Sequence, residues 1–320
     1  MFMLPISVEV LGVRATQSQI DASTQPLKIF PIIERQIGFG GQGTVYKGYW
    51  KATNVAVKFT SLSNKSKPFI EKEIEALSTL KHPNICALLG WYIQPISDST
   101  PMVALVTDFY SAGDLFAKTM QEQMGENNVM IIFRQLFDAV FYIHSKDVMH
   151  CDIKLENIVL TSDGTPILID FGLTNTINSG TPYYAAPEAK YMLHKGLDIW
   201  ALGICLWACL TRSFPFHQAH TNCPRYRVAL SLLESKSTSM CDAIHTMNGE
   251  KCIFSSDVKH LLDSMLCVDH KGRYTIDDVQ DSMRVYCKQY RKADSEHKKA
   301  DERKACDVDD VEKKKRRIVY

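Results

Sequence analysis

Apolar residues along this chain follow two rhythms, and the change between them falls near residue 111. Before it they come in strand-length groups: Ile32-Ile33 opens one strand, Val45 to Tyr49 forms another, and Asn54 to Phe59 alternates as a half-buried strand does. Val103 to Val106 is an unbroken apolar run of the kind that fills the centre of a sheet. One helix, over 68–80, interrupts this part, and the stretch from Trp91 to Met102 reads as a loop because two prolines and a Ser-Asp-Ser-Thr run break it. After residue 111 the spacing becomes helical. Ile132, Phe133, Leu136, Phe137, Val140 and Ile143 mark one face of a helix over 129–145. Ile158 to Leu160 and Ile167 to Ile169 are two short runs about the turn Ser162-Asp163-Gly164, which predicts a hairpin. Further helices follow, including the apolar run over 199–210 and a helical layer within 217–254. The pattern predicts an α+β chain with a small, mostly β lobe over 30–110 and a larger, mostly α lobe over 111–287. An extension over 1–29 and a charged tail over 288–320 flank them.

Chemistry-bearing residues cluster where these elements meet. Asp152, Lys154 and Asn157 lie within six residues, and the hairpin that follows returns the chain at Asp170, so its closure brings Asn157 near Asp170. A carboxylate able to take a hydroxyl proton, a cation, and an amide plus a second carboxylate as hard oxygen ligands are the set that magnesium-assisted phosphoryl transfer requires. Gly38-x-Gly40-x-x-Gly43 is a weak signal alone, because the same spacing opens dinucleotide-binding folds. Those folds need a helix next, whereas Val45-Tyr46-Lys47-Gly48-Tyr49 reads as a strand, so a glycine-rich hairpin lid is expected. Lys58 sits in an apolar strand and needs a counter-charge, for which Glu71 and Glu73 of the next helix compete. His144 is given no ligand role, since a stripe of this kind is core.

Taken together these motifs resemble the eukaryotic protein kinases of serine/threonine type, and the likeness covers about residues 30 to 287. The matching stretches are H-C-D-I-K-L-E-N from His150, D-F-G from Asp170, V-A-V-K ending at Lys58, G-T-P-Y-Y-A-A-P-E from Gly180, L-D-I-W-A-L-G from Leu197 and the F-P-F ending at Phe216. Asp269-His270-Lys271-Gly272-Arg273-Tyr274-Thr275 resembles the segment near the end of that domain. The catalytic loop is similar to calmodulin-dependent and AMP-activated kinases, and the glycine loop to receptor-like ones, which leaves the subfamily open. The resemblance implies a bilobal kinase fold that binds ATP and Mg2+ between its lobes and acts on Ser/Thr hydroxyls of protein substrates. It implies that Ile37, Gly38, Phe39, Gly40, Gly41, Gln42, Gly43, Thr44 and Val45 cover the nucleotide, and that Lys58, paired with Glu73, holds its phosphates. Backbone groups of Asp108 and Tyr110 would meet adenine behind Thr107, and Asp114 would approach the ribose. Asn157 and Asp170 would hold the metal. Asp152 would accept the proton, with Lys154 beside the γ-phosphoryl and Thr181 bonded near both. Asp198 would cap or bond loop backbone, and Arg273 would pair with Glu188 structurally.

Cys151 departs from the pattern, standing where the family has an arginine that pairs with a phosphate on the activation segment. Phosphorylation on Thr174, Thr176 or Ser179 is therefore expected to be dispensable. Two rival readings share the fold: a nucleotide-binding scaffold without phosphotransfer, and a kinase of small molecules. The first would ordinarily lack the lysine or a metal acid, and the second the Ala186-Pro187-Glu188 segment.

Composition narrows the setting. With 45% hydrophobic and 23% charged residues among 320 and a net charge of +1, the chain has no global pull towards nucleic acid or an anionic membrane. Its ten cysteines show no C-x-x-C pair and no zinc-type spacing, which fits a reducing compartment. The N-terminus lacks the basic region and cleavage signal of a secretory leader, and the longest apolar run is well short of the ~20 residues that span a bilayer. The basic run Lys313 to Arg317 reads equally as a nuclear import tag or a solvated tail, so a cytoplasmic and/or nuclear location is expected.

Overall fold

A computed structural model describes residues 29–290, apart from Gln42, 96–99, 178–179 and 237. The basic run Lys313 to Arg317 and the extension up to residue 28 therefore lie outside the described residues. The first lobe is an antiparallel sheet of β1 (Ile32–Gly40), β2 (Gly43–Trp50), β3 (Thr53–Ser61), β4 (Leu88–Gln94) and β5 (Met102–Asp108), in the order β1-β2-β3-β5-β4. Successive side chains of a strand point to opposite faces, and β5 uses both. Ala104 and Val106 join Val55, Val57, Trp50 and Tyr92 in an outer cluster, while Val103 and Leu105 join the main core. The same alternation turns Lys58 away from Val57 and towards the helix packed on the sheet.

That helix, α1 (Lys67–Thr79), buries Ile70, Glu73, Ile74 and Leu77, spaced as one helical face. A carboxylate within such a stripe is costly unless it meets a cation, and Lys58 is in reach. The expected loop from Trp91 is a correction: Trp91 to Gln94 complete β4, and only 95–101 connect it to β5. The run Trp-Tyr-Ile has strong strand preference, with Trp91 buried in the main core and Tyr92 in the outer cluster. The prolines act only beyond it.

The second lobe holds α2 (Leu115–Gln121), α3 (Glu126–Ser145), the hairpin of β6 (Ile158–Leu160) and β7 (Pro166–Leu168), α4 (Gly196–Thr211), α5 (Pro224–Lys236), α6 (Met240–Asn248) and α7 (Ser256–Met265). A last helix, α8, runs over 276–290, three residues past the expected start of the tail. The predicted hairpin forms, with Ile158 opposite Leu168. Nearly all of α4 is buried, including Cys205 and Cys209, so it is the lobe's central post. No helix among the described residues is long and apolar enough to cross a membrane. The nine described cysteines are all free thiols.

Arg273 locks this lobe. Its side chain is fully buried; Nη1 and Nη2 donate to Glu188 at 2.5 and 3.0 Å, Nε to the Cys267 carbonyl, and the guanidinium lies 5.0 Å from the Trp200 ring. Burial pushes the Glu188 carboxyl up, but its bonds to Arg273 outweigh that and hold it below the ordinary 4.5. A depressed carboxyl contributes stability that is present above its unfolded value and is lost as pH falls through the folded one. The urea midpoint is therefore expected to fall as pH drops below 4.5, and Glu188→Gln to flatten part of that slope in acid denaturation curves.

Candidate active site

The glycine segment forms the predicted lid. Gly40 of β1 stands opposite Gly43 of β2, and Gly38 opposite Val45. Gly43 is the position where glycine is required: its φ is +135°, and a Cβ there would meet the Phe59 carbonyl oxygen at 2.3 Å. Ile37, Phe39 and Thr44 complete the hairpin with Gly41 at its tip, while Gln42 lies outside the described residues.

Beneath the lid, β3 presents Lys58 to two acids at once. Its Nζ donates to both oxygens of Glu73 at 2.9 Å and to Asp170 Oδ1 at 2.8 Å. Of the two competing helix acids, Glu73 makes this pair, while Glu71 lies 3.8 Å from Lys67. Burial alone would lower the Lys58 pKa, but the two carboxylates more than reverse it, so it stays cationic. Burial raises Glu73, whereas for Asp170 the opposing pull of Lys58 outweighs burial and lowers it. One cation thus serves two acids unequally, drawing Asp170 down while burial keeps Glu73 up.

The catalytic-loop residues lie next to this cluster. The Asn157 carbonyl accepts from the Ile169 N–H at 2.9 Å, which closes the hairpin beside Asp170. Asp152, nearly buried, takes four donors: Lys154 Nζ at 2.7 Å and Asn157 Nδ2 at 3.1 Å on Oδ2, and the N–H and hydroxyl of Thr181 at 3.1 and 3.3 Å on Oδ1. Lys154 also donates to Thr181 Oγ1 at 3.0 Å. This set fixes the carboxylate in one orientation, with an ammonium alongside it.

Asp198, at the start of α4, holds the loop from below. Oδ2 accepts from the His150 N–H and Oδ1 from the Cys151 N–H, both at 2.9 Å. Cys151 has a φ of +65°, a conformation such bonds help to maintain. His144 Nε2 also lies 2.9 Å from Oδ2, so this histidine, expected to be mere core, is a buried partner of the loop's anchor. Sequence spacing carries no signal for that pair, which is 54 residues apart. His150 accepts from the Asp152 N–H on Nδ1 and therefore donates from Nε2 to the Ile169 carbonyl, stitching loop to hairpin.

At the crossing between lobes, β5 ends at Asp108 and Tyr110 follows, half-buried. Asp114 has a structural duty that the resemblance does not imply: Oδ1 accepts from the Ala117 N–H at 2.7 Å and caps α2. Thr174, one of the three residues named above for phosphorylation, is buried and its hydroxyl donates to the Phe171 carbonyl at 2.6 Å. Ser179 lies outside the described residues. Lys72, which no motif in the sequence marks, donates to the Asn175 carbonyl of this segment, and Asn175 Oδ1 in turn accepts from the Met149 N–H.

Comparison with known proteins places the likeness across most of the chain. The family model described as "Protein kinase domain" matches residues 32–283. The chain is 30% identical to SAPK1, a serine/threonine-protein kinase of Oryza sativa subsp. japonica, over 78% of this chain and 73% of that protein. It is 30% identical to the probable serine/threonine-protein kinase MARK-C of Dictyostelium discoideum, over 78% of this chain and 32% of the relative. Against the serine/threonine-protein kinase SIK2 of Gallus gallus it is 30% identical over 81% of this chain and 32% of the relative. The chain thus spans about a third of the length of several of the curated relatives it matches.

Proposed function

This chain belongs to the protein kinase family, and on that footing we propose that it transfers the γ-phosphoryl of ATP to serine or threonine hydroxyls of protein substrates. The observation that carries the reading is that Lys58, Glu73 and Asp170 form one bonded set and Asp152, Lys154, Asn157 and Thr181 another, linked where the Asn157 carbonyl accepts from Ile169 beside Asp170, with bonds of 2.7–3.3 Å. The donor set fits a magnesium nucleotide. Asn157 spends its Nδ2 on Asp152, which leaves its amide oxygen for a cation, and Asp170 gives one oxygen to Lys58, which leaves the other.

When bound, the magnesium nucleotide supplies the transferable phosphoryl group and neutralises charge on its leaving oxygens. Lys58 would hold the α- and β-phosphates while Glu73 fixes its ammonium in place. Asp152 would orient the acceptor hydroxyl and take its proton, and its four donors set the direction from which that proton arrives. Lys154, bonded to both Asp152 and Thr181, would offset charge developing on the transferring group. The lysine two residues after Asp152 and the threonine that binds it are what point to Ser/Thr acceptors.

The test is incubation of the full chain with radiolabelled ATP and a generic basic protein, followed by phosphoamino-acid analysis. Label on phosphoserine and phosphothreonine is expected. Label on phosphotyrosine would overturn the acceptor class, and no transfer with nucleotide still bound would favour the scaffold reading.

A further inference from the structure

Between α1 and the residues entering the catalytic loop lies a knot of three residues, Thr174 to Thr176, and the Lys72 ammonium group joins it to the helix. Lys72 Nζ donates to Thr176 Oγ1 at 3.0 Å and to the Asn175 carbonyl at 3.3 Å. Lys72 immediately precedes Glu73, the partner of Lys58, on one rigid turn of α1. Asn175, held at a φ of +51°, grips the other side: its N–H donates to the Met149 carbonyl at 3.0 Å, and its Oδ1 accepts from the Met149 N–H at 2.9 Å. Met149 is the residue before His150, so the knot spans from the helix that orients Lys58 to the loop that carries Asp152.

Both partners described for Lys72 are neutral oxygens. The neighbouring side chain is neutral too, since burial pushes the Cys151 thiol up to about 12. Cys151 and Thr176 both line a small pocket of about 20 Å³, room for one water molecule. The local chemistry is that of a cation satisfied by a hydroxyl and a carbonyl, with no second positive group in the position of Cys151 to gather a dianion.

We propose that Lys72 is a positioning residue for phosphotransfer: with the unmodified Thr176 hydroxyl and the Asn175 carbonyl as acceptors, it holds α1 where Glu73 meets Lys58, so the active arrangement needs no phosphate on this segment. The inference rests on the kinase activity proposed above, and it concerns how that activity is switched on.

The experiment uses the full chain after phosphatase treatment, with two readouts: steady-state kinetics, and hydrogen exchange of the α1 amides. The treated parent is expected to keep its turnover. Lys72→Met is expected to lower kcat about tenfold, the size of a coupling within one shared hydrogen-bond network, with peptide KM unchanged and α1 amides exchanging faster. Lys72→Arg should restore both, and Lys72→Met combined with Thr176→Val should be no worse than either alone. Additive losses, Lys72→Met behaving as the parent, or a treated parent that regains turnover only when rephosphorylated would each overturn the proposal. Should no form transfer phosphate, the kinase reading falls instead, while α1 exchange still decides whether Lys72 ties the helix to the segment.

Discussion

Asp152→Asn is expected to lower kcat by about a hundredfold or more, in line with the ~3–4 kcal/mol lost when one transition-state electrostatic partner is removed. The substitution keeps the shape of the side chain and removes its charge and its capacity to accept a proton. It also places an NH2 group among donors. If that group faces Lys154 and Asn157 it meets two of them, and if it faces Thr181 it meets a backbone N–H that cannot turn away. A stability loss of about 1–3 kcal/mol is therefore expected from an unsatisfied buried donor, small beside the loss of rate. Nucleotide affinity should hardly change, because the carboxylate of Asp152 spends its bonds on Lys154, Asn157 and Thr181 rather than on the Lys58–Glu73–Asp170 set. Steady-state kinetics beside a calorimetric titration with a non-hydrolysable ATP analogue separate the two. A variant that turns over as fast as the parent would remove Asp152 from the chemistry, and one that loses nucleotide binding as well would make its role structural.

How far the chain alone reveals the fold and the site depends on how locally each feature is encoded. The β6–β7 hairpin and the short reach from Asn157 to Asp170 are legible because turn residues and strand runs lie within twenty positions of one another. Lys58 is legible as a residue in need of an acid, but the choice of Glu73 over Glu71 comes from resemblance, since burial of one helix face is decided by the sheet it packs on. The strand at Trp91 is obscured by the prolines nearby, which count against an aromatic run that in fact packs on both sheet faces. His144 and Lys72 are out of reach for another reason. Each meets its partner across 54 and 104 residues, through a contact that only tertiary packing creates. The hydroxyl of Thr174 reads as available for modification, and only the fold shows it turned inward on Phe171.

Lys58→Met is expected to cost about 3–5 kcal/mol of stability as well as the activity, because it leaves the carboxylates of Glu73 and Asp170 facing each other, largely buried, with no cation between them. The variant carries its own signature in pH. Glu73 is already raised by burial in the parent, and losing Lys58 removes the main influence that lowers it. A carboxyl whose folded pKa is raised contributes stability that is complete below its unfolded value and is lost as pH rises through the folded value. The deficit of Lys58→Met should therefore grow as pH rises above the ordinary glutamate value of 4.5 and shrink towards it, the reverse of the acid sensitivity that Glu188 gives the parent. Adding Glu73→Gln to Lys58→Met should recover much of the stability, since a neutral amide replaces the stranded carboxylate at nearly the same volume, but it should recover none of the phosphotransfer, which needs the ammonium itself. Denaturant midpoints of the three proteins between pH 5 and 8, measured beside their turnover, test both halves. A double variant as unstable as Lys58→Met would mean that the pair's like charges are not what the lysine offsets, and a pH-independent deficit would mean the same.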